Sequence, residues 1–189
     1  MTINPAEIVV PGRTYVYLAP VGSTVPTDPV TAPTAPWVNV GLTTPDSLAF
    51  NTEPEFEEVQ SAQSDYPTRR FQTSDAAAIE VDLQQWNAHN FMAVYGGGTI
   101  TEVAGPPVHY KFTPPKVGER QETAGIVDVI DGTKHYRFVF PRCMQIEGVE
   151  NQLQRTQEGR LPLRLAVLGG DETDPWYLLT DDPAFAPST

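Results

Sequence analysis

From Ile79 to Gln84 apolar and polar residues alternate strictly, with Ile79, Val81 and Leu83 set against Glu80, Asp82 and Gln84. Side chains of an extended strand point alternately to opposite faces, so this segment is predicted to pack one face inward and show its carboxylates to water. The same period puts Glu53, Glu55 and Glu57 on one side of an earlier segment, residues 53–60, and no basic residue joins either acidic set. Two strands are therefore expected to share one acidic face. Tyr136, Phe138 and Phe140 alternate with His135, Arg137 and Val139, and with the run Ile126-Val127-Asp128-Val129-Ile130 they form a hairpin over residues 124–140. Its tip, Asp131-Gly132, supplies the positive φ values that a tight turn requires. Met144 and Ile146 alternate with Gln145 and Glu147 in a further short strand. Leu161, Leu163, Leu165 and Val167 share one side of the last long strand, opposite Arg160, Pro162 and Arg164.

The chain between these strands is heavily punctuated. Arg13 to Ala19 is the first strand, ended by Pro20, and five prolines from Pro20 to Pro36 favour an extended surface path. Trp37–Val40 and Ser47–Phe50 are short strands around a turn. Residues 61–75 form a polar connection with Pro67 and Arg69-Arg70; hairpin loops run about 2–5 residues, so so long a link points to contact with another subunit. At residues 86–95 the period changes, and Trp86, Phe91, Met92 and Tyr95 fit a short helix that Gly96-Gly97-Gly98 stops. A second proline-rich loop holds Gly105-Pro106-Pro107 and Pro114-Pro115. The organisation is an N-terminal arm (1–12, with Ile8-Val9-Val10), one β domain (13–168) and a C-terminal arm (169–189) that frays after Trp176–Leu179. No internal repeat or second-domain linker is present.

Composition agrees with a mainly β chain. The 189 residues are 40% hydrophobic, enough for one core, while 19 prolines and 14 glycines are too many breakers for long helices. Twenty-four acidic against 12 basic residues give a net charge of −12, which argues against adhesive binding of phosphates. Cys143 is the single cysteine, so no internal disulfide forms. Neither a leader peptide nor an apolar run of membrane-spanning length is visible, and the chain is expected to be soluble in the cytosol where it is made.

Catalytic and cofactor chemistry find little support. His89, His109 and His135 stand in separate contexts without metal-ligand spacing, and Cys143 lies in a predicted strand, a core position. Gly96-Gly97-Gly98 follows a helix and opens none, the reverse of a phosphate cradle. Asp171-Glu172-Thr173-Asp174 lacks the ligand pattern of a calcium loop and suits a solvated acidic turn. No nucleophile, base and orienting group converge, so the chain is not expected to be an enzyme and needs no cofactor or metal. The acidic strands are either an ordinary solvent face or a working surface. Like charges opposed across strands are destabilising, so their concentration asks for a reason. Arg69 and Arg70 are either loop charges or intersubunit salt-bridge partners, and Arg160 and Arg164 would neutralise the acidic face locally if their strand joined it.

The order of elements resembles a known family. Gly12-Arg13-Thr14-Tyr15-Val16-Tyr17-Leu18-Ala19-Pro20 and a Pro/Thr loop precede Trp37-Val38-Asn39-Val40-Gly41-Leu42-Thr43-Thr44-Pro45-Asp46-Ser47-Leu48-Ala49-Phe50. The acidic strand, Tyr66-Pro67-Thr68-Arg69-Arg70, and a strand-to-helix passage from Ile79 to Asn90 closing on Tyr95-Gly96-Gly97 follow. Over residues 12–168 this order resembles the major tail (tail tube) proteins of long-tailed, non-contractile bacteriophages, especially those of actinobacteria. The resemblance implies a β-sandwich or half-barrel with one flanking helix, whose inner strands join neighbours in a hexameric ring. Stacked rings form a tube in the virion, assembled in the host cytoplasm. It also implies partners in the tape measure, tail terminator and distal tail proteins, and DNA that passes without specific binding or any membrane anchor. Six copies at −12 each bring −72 formal charges per ring. Glu53, Glu55, Glu57, Glu80 and Asp82 would then line the lumen, and Tyr66, Arg69, Arg70 and Phe71, with the arms, would make contacts between subunits and rings. Alternatives are another virion ring, decoration or fibre-base protein, or a carbohydrate-binding β-sandwich using Trp37, Trp86 and Trp176.

Overall fold

A computed structural model of the chain describes residues 4–151, 153, 155–156, 158–169 and 174–187. Its strands are β1 (Arg13–Pro20), β2 (Val38–Asn39), β3 (Ala49–Val59), β4 (Arg69–Leu83), β5 (Thr99–Val103), β6 (His109–Thr113), β7 (Glu122–Asp131), β8 (Lys134–Gln145), β9 (Leu161–Val167) and β10 (Tyr177–Thr180). One helix, α1 (Ala88–Tyr95), follows β4. The fold is mainly β, with one α-helix among the described residues, in agreement with the β-sandwich or half-barrel class.

Eight strands make one antiparallel sheet in the order β2-β1-β7-β8-β9-β4-β3, with β10 paired to β8 outside that path. Gly132, at φ 59°, and Thr133 turn β7 into β8, so that Asp131, expected in the turn, instead pairs with Lys134, and this register sets Asp128 opposite Arg137. Asn87 caps α1 by accepting from Asn90 N at 2.9 Å, and Gly96 ends it in the left-handed region. The buried Asn90 amide donates to Val40 O and Gln85 O, both at 2.8 Å, which ties the helix to the sheet margin.

The principal core lies on one side of the sheet, where Leu18, Val81, Phe140, Leu163 and Leu165 meet Val94 of α1. A second apolar layer lies on the opposite side, where Ala19, Ile126 and Val139 pack under Trp37. The proline-rich segment before Trp37 is thus a cover for the sheet as well as a surface path, and Trp37 Nε1 donates to Thr24 O at 2.8 Å. Within this layer Arg137 is fully buried. Its Nε and Nη2 donate to the two Asp128 carboxylate oxygens at 2.7 and 2.8 Å, and its Nη1 to Asp28 O at 2.8 Å.

Four predicted features need correction. Residues 144–145 belong to β8 and make no separate strand; Gln145 points inward, its Oε1 accepting from Arg164 N at 2.8 Å. The second proline-rich loop carries a hairpin of its own, β5–β6, whose Phe112 packs on Phe91 and Tyr95. Ala49–Val59 is one strand, and β4 begins at Arg69, so residues 69–75 are strand and only 60–68 form the connection. The C-terminal segment folds back: β10 pairs with Tyr136–Val139 of β8, and a 3₁₀ turn, Pro183–Phe185, follows. The acidic cluster at 171–174 lies, except for Asp174, outside the described residues.

Asp182 is the anchor of this strap. Its carboxylate accepts from Lys134 Nζ at 2.9 Å, from the Tyr136 hydroxyl at 2.5 Å and from Ala184 N at 3.0 Å. These bonds, Lys134 first, hold its pKa at about 2 against an ordinary 3.8, while the same carboxylate pushes the Tyr136 phenol up to about 12. A depressed carboxyl pKa stabilises the fold above the ordinary value and loses that contribution as pH falls through the folded one. Protection of the Tyr177–Thr180 amides, corrected for intrinsic exchange, is therefore expected to hold near neutrality and collapse as pH drops from about 3.8 through about 2. Asp182→Asn is expected to lose that protection at neutral pH; unchanged exchange there would remove the anchoring role.

Candidate functional site, an acidic two-stranded overhang

β3 and β4 start paired inside the body, Phe50 opposite Ile79, and continue outward to Val59 opposite Arg69. Strand β9 covers only Ala78–Leu83 of β4. Beyond that point, residues 51–60 and 69–76 are exposed on both faces. At about 3.3 Å per residue the overhang extends about 25–30 Å from the body. Among the described residues, no strand pairs with the outer margin of β3 or with the far margin of β4 over residues 69–77.

The register fixes what each face carries. Ala49 stands opposite Glu80, Glu53 opposite Ala76 and Glu55 opposite Ser74, so Glu53, Glu55, Glu80 and Asp82 share one face. A bulge next to Glu55 inserts Thr73 into β4, leaving β3 uninterrupted, and alternation keeps Glu57 on the acidic face. Ser74 Oγ donates to Glu55 Oε2 at 2.8 Å. Phe56 and Glu58 occupy the other face, where Arg70 is ion-paired with Glu58.

The acidic set is not uniform. Arg164 of β9 lies opposite Glu80 and reaches its carboxylate at 3.3 Å and that of Asp82 at 3.0 Å. Those two acids are half-buried and balanced by one guanidinium, the local neutralisation that β9's place in the sheet makes possible. Glu53, Glu55 and Glu57 are exposed and have no ion-pair partner among the described residues.

The contact residues expected in a loop divide. Tyr66 is in the connection and 80% exposed. Arg69, Arg70 and Phe71 are in β4, a correction, and Arg70 is engaged within its own ribbon. Phe56, Val59 and Phe71 add exposed apolar surface to the overhang. A two-stranded ribbon is marginal alone in water, and open strand margins are templates for pairing with another chain.

Other candidate chemistry is dispersed. Among the described residues no three His, Cys, Asp or Glu side chains are grouped to hold a metal. His135 Nδ1 pairs with Asp181 at 2.9 Å, His89 is on α1 and His109 is exposed on β6. Cys143 is buried in β8, and burial pushes its thiol up to about 12, far from a reactive thiolate. The three tryptophans share no platform: Trp37 is buried in the second apolar layer, Trp176 packs on Phe50, and Trp86 donates to Gly159 O and rests against Phe91.

A family model described as phage tail tube protein matches the whole chain, residues 1–189. The chain belongs to the phage tail tube protein family. No curated protein sequence matches it. As a tail tube protein it is a structural component of the virion tail, and family membership implies self-assembly into a tube. Among the described residues the ribbon has two open margins and is exposed on both faces.

Proposed function

We propose that six copies of this chain close into a ring by joining overhangs, the open margin of β3 in one copy pairing with that of β4 in the next, and that the rings stack into the tail tube of a long-tailed, non-contractile phage of the actinobacteriophage type. The observation that carries this reading is the pair of unpaired margins on one ribbon, in a chain whose family forms tubes. Copies related by rotation present β4 antiparallel to the next β3, and a closed sheet leaves no exposed edge. Glu53, Glu55 and Glu57, with Glu80 and Asp82 behind them, line a conduit that repels the phosphates of DNA during ejection into the host. The tape measure, tail terminator and distal tail proteins are the expected partners, and assembly takes place in the host cytoplasm. Among the described residues no helix is long and apolar enough to cross a membrane.

Electron microscopy of the purified protein tests the reading. Hollow tubes or stacked sixfold rings are expected as concentration rises. Monodisperse single subunits at high concentration would contradict it.

A further inference from the structure

A cavity of about 370 Å³ opens between the end of β1 and α1, lined by Leu18, Pro36, Val38, Met92, Ala93 and Leu165, with His89 also in its wall. The His89 Nε2 atom is buried and has no hydrogen-bond partner among the described residues. An apolar cavity of about 150 Å³ already admits a benzene ring, and a buried polar atom without a partner is rare and costly. The space fits an aromatic ring carrying one polar group.

Strand directions show where such a ring is available. β1 and β4 run parallel to β8, each through one antiparallel neighbour. The connection at 60–68 therefore lies beyond the end of the sheet that holds the β7–β8 turn. The cavity, beside Pro20, Glu122 and Gln145, lies at the opposite end. Tyr66 cannot reach the cavity of its own chain. It projects from a braced tip: Tyr66 N donates to Ser64 Oγ at 3.3 Å, Ser64 Oγ to Tyr66 O at 2.9 Å, and Thr68 N to Val59 O at 2.8 Å. Tyr110, also well exposed, is on the β5–β6 hairpin that packs against α1, at the cavity's own end.

We infer that Tyr66 of one copy seats in the α1 cavity of the next copy along the stacking direction, its hydroxyl bonded to His89 Nε2. A knob at one end and a socket at the other make a heterologous contact that propagates copies along a line. The socket is mostly apolar, although Gln121, Glu122, Thr123 and Gln145 also line it, and burial lowers the His89 pKa, which favours the neutral imidazole. The phenol brings a group that can donate or accept and no net charge. This inference rests on the tube reading and specifies one of its longitudinal joints.

Two measurements test it. In unmodified protein, nitration by tetranitromethane followed by mass spectrometry is expected to modify Tyr66 readily in dilute subunits and to spare it in tubes, where Tyr110 serves as the internal comparison. Second, Tyr66→Cys and Met92→Cys chains, co-assembled and treated with a short bismaleimide, are expected to give a covalent dimer containing one of each. Cys143, fully buried, does not compete. Tubes in which Tyr66 remains fully nitrated, or that yield no mixed dimer, overturn the seating and leave the tube reading intact. Failure of unmodified protein to form tubes overturns both.

Discussion

Asp128→Ala is expected to cost the fold about 3–5 kcal/mol, the scale on which removal of one partner from a buried ion pair destabilises a protein. Arg137 is 1% exposed, both of its carboxylate bonds go to Asp128, and its remaining bond in this layer is to the Asp28 carbonyl. Deleting the carboxylate leaves the guanidinium beneath the proline-rich cover with only the Asp28 carbonyl as its partner. The neighbouring layer is apolar, with Ile126, Val139 and Trp37 at hand. Replacing both partners, Asp128→Leu with Arg137→Met, is therefore expected to recover most of the loss, because a well-packed apolar pair is often as stable as the ions it replaces. Urea unfolding of the three chains decides the matter through the midpoint at constant m. A single variant within about 1 kcal/mol of the parent, or a double variant as weak as the single, would show that the pair does not hold the cover in place.

The Asp131-Gly132 dipeptide marked the hairpin but not its register: a two-residue loop at those positions would set Asp128 against His135, whereas the turn is Gly132-Thr133, with Asp131 paired to Lys134, and this sets Asp128 against Arg137. The alternation of Ile79, Val81 and Leu83 gave the core side of β4 directly, and three glycines marked the end of α1. Residues 69–75 were harder. An overhang exposed on both faces has no apolar face to impose alternation, so Arg69-Arg70-Phe71-Gln72-Thr73-Ser74-Asp75 reads as loop by composition. The β5–β6 hairpin did carry a signal, Tyr110 and Phe112 one position apart from Lys111, but the flanking prolines obscured it. Arg164 opposite Glu80 depends on β9 pairing with β4 across more than eighty residues, and local pattern carries no information about such a partner. The cavity beside α1 is of the same kind, being assembled from β1, α1 and β9.

Replacing Glu53, Glu55 and Glu57 together with lysine is expected to leave assembly largely intact and to make the tubes retain double-stranded DNA. These three carboxylates make no ion pair within the described chain, and of them only Glu55 accepts from a neighbouring side chain, Ser74. The ribbon's backbone pairing does not depend on them. Glu80 and Asp82 are unsuitable for the same test, because lysine there would confront Arg164 and confuse loss of stability with change of surface. A ring of such subunits offers more cations than the 6–10 phosphate contacts whose affinity falls by about 10³–10⁵ between about 50 and 200 mM salt. Retention should accordingly be strong at low ionic strength and steeply salt-dependent, whereas the triple glutamine variant, which removes charge without adding cations, should bind only weakly. Co-sedimentation of tubes with linear DNA across a salt series reads both. Lysine tubes that bind DNA no better than the parent would place this face away from the channel, since a bore lined with cations cannot be electrostatically indifferent to a polyanion inside it.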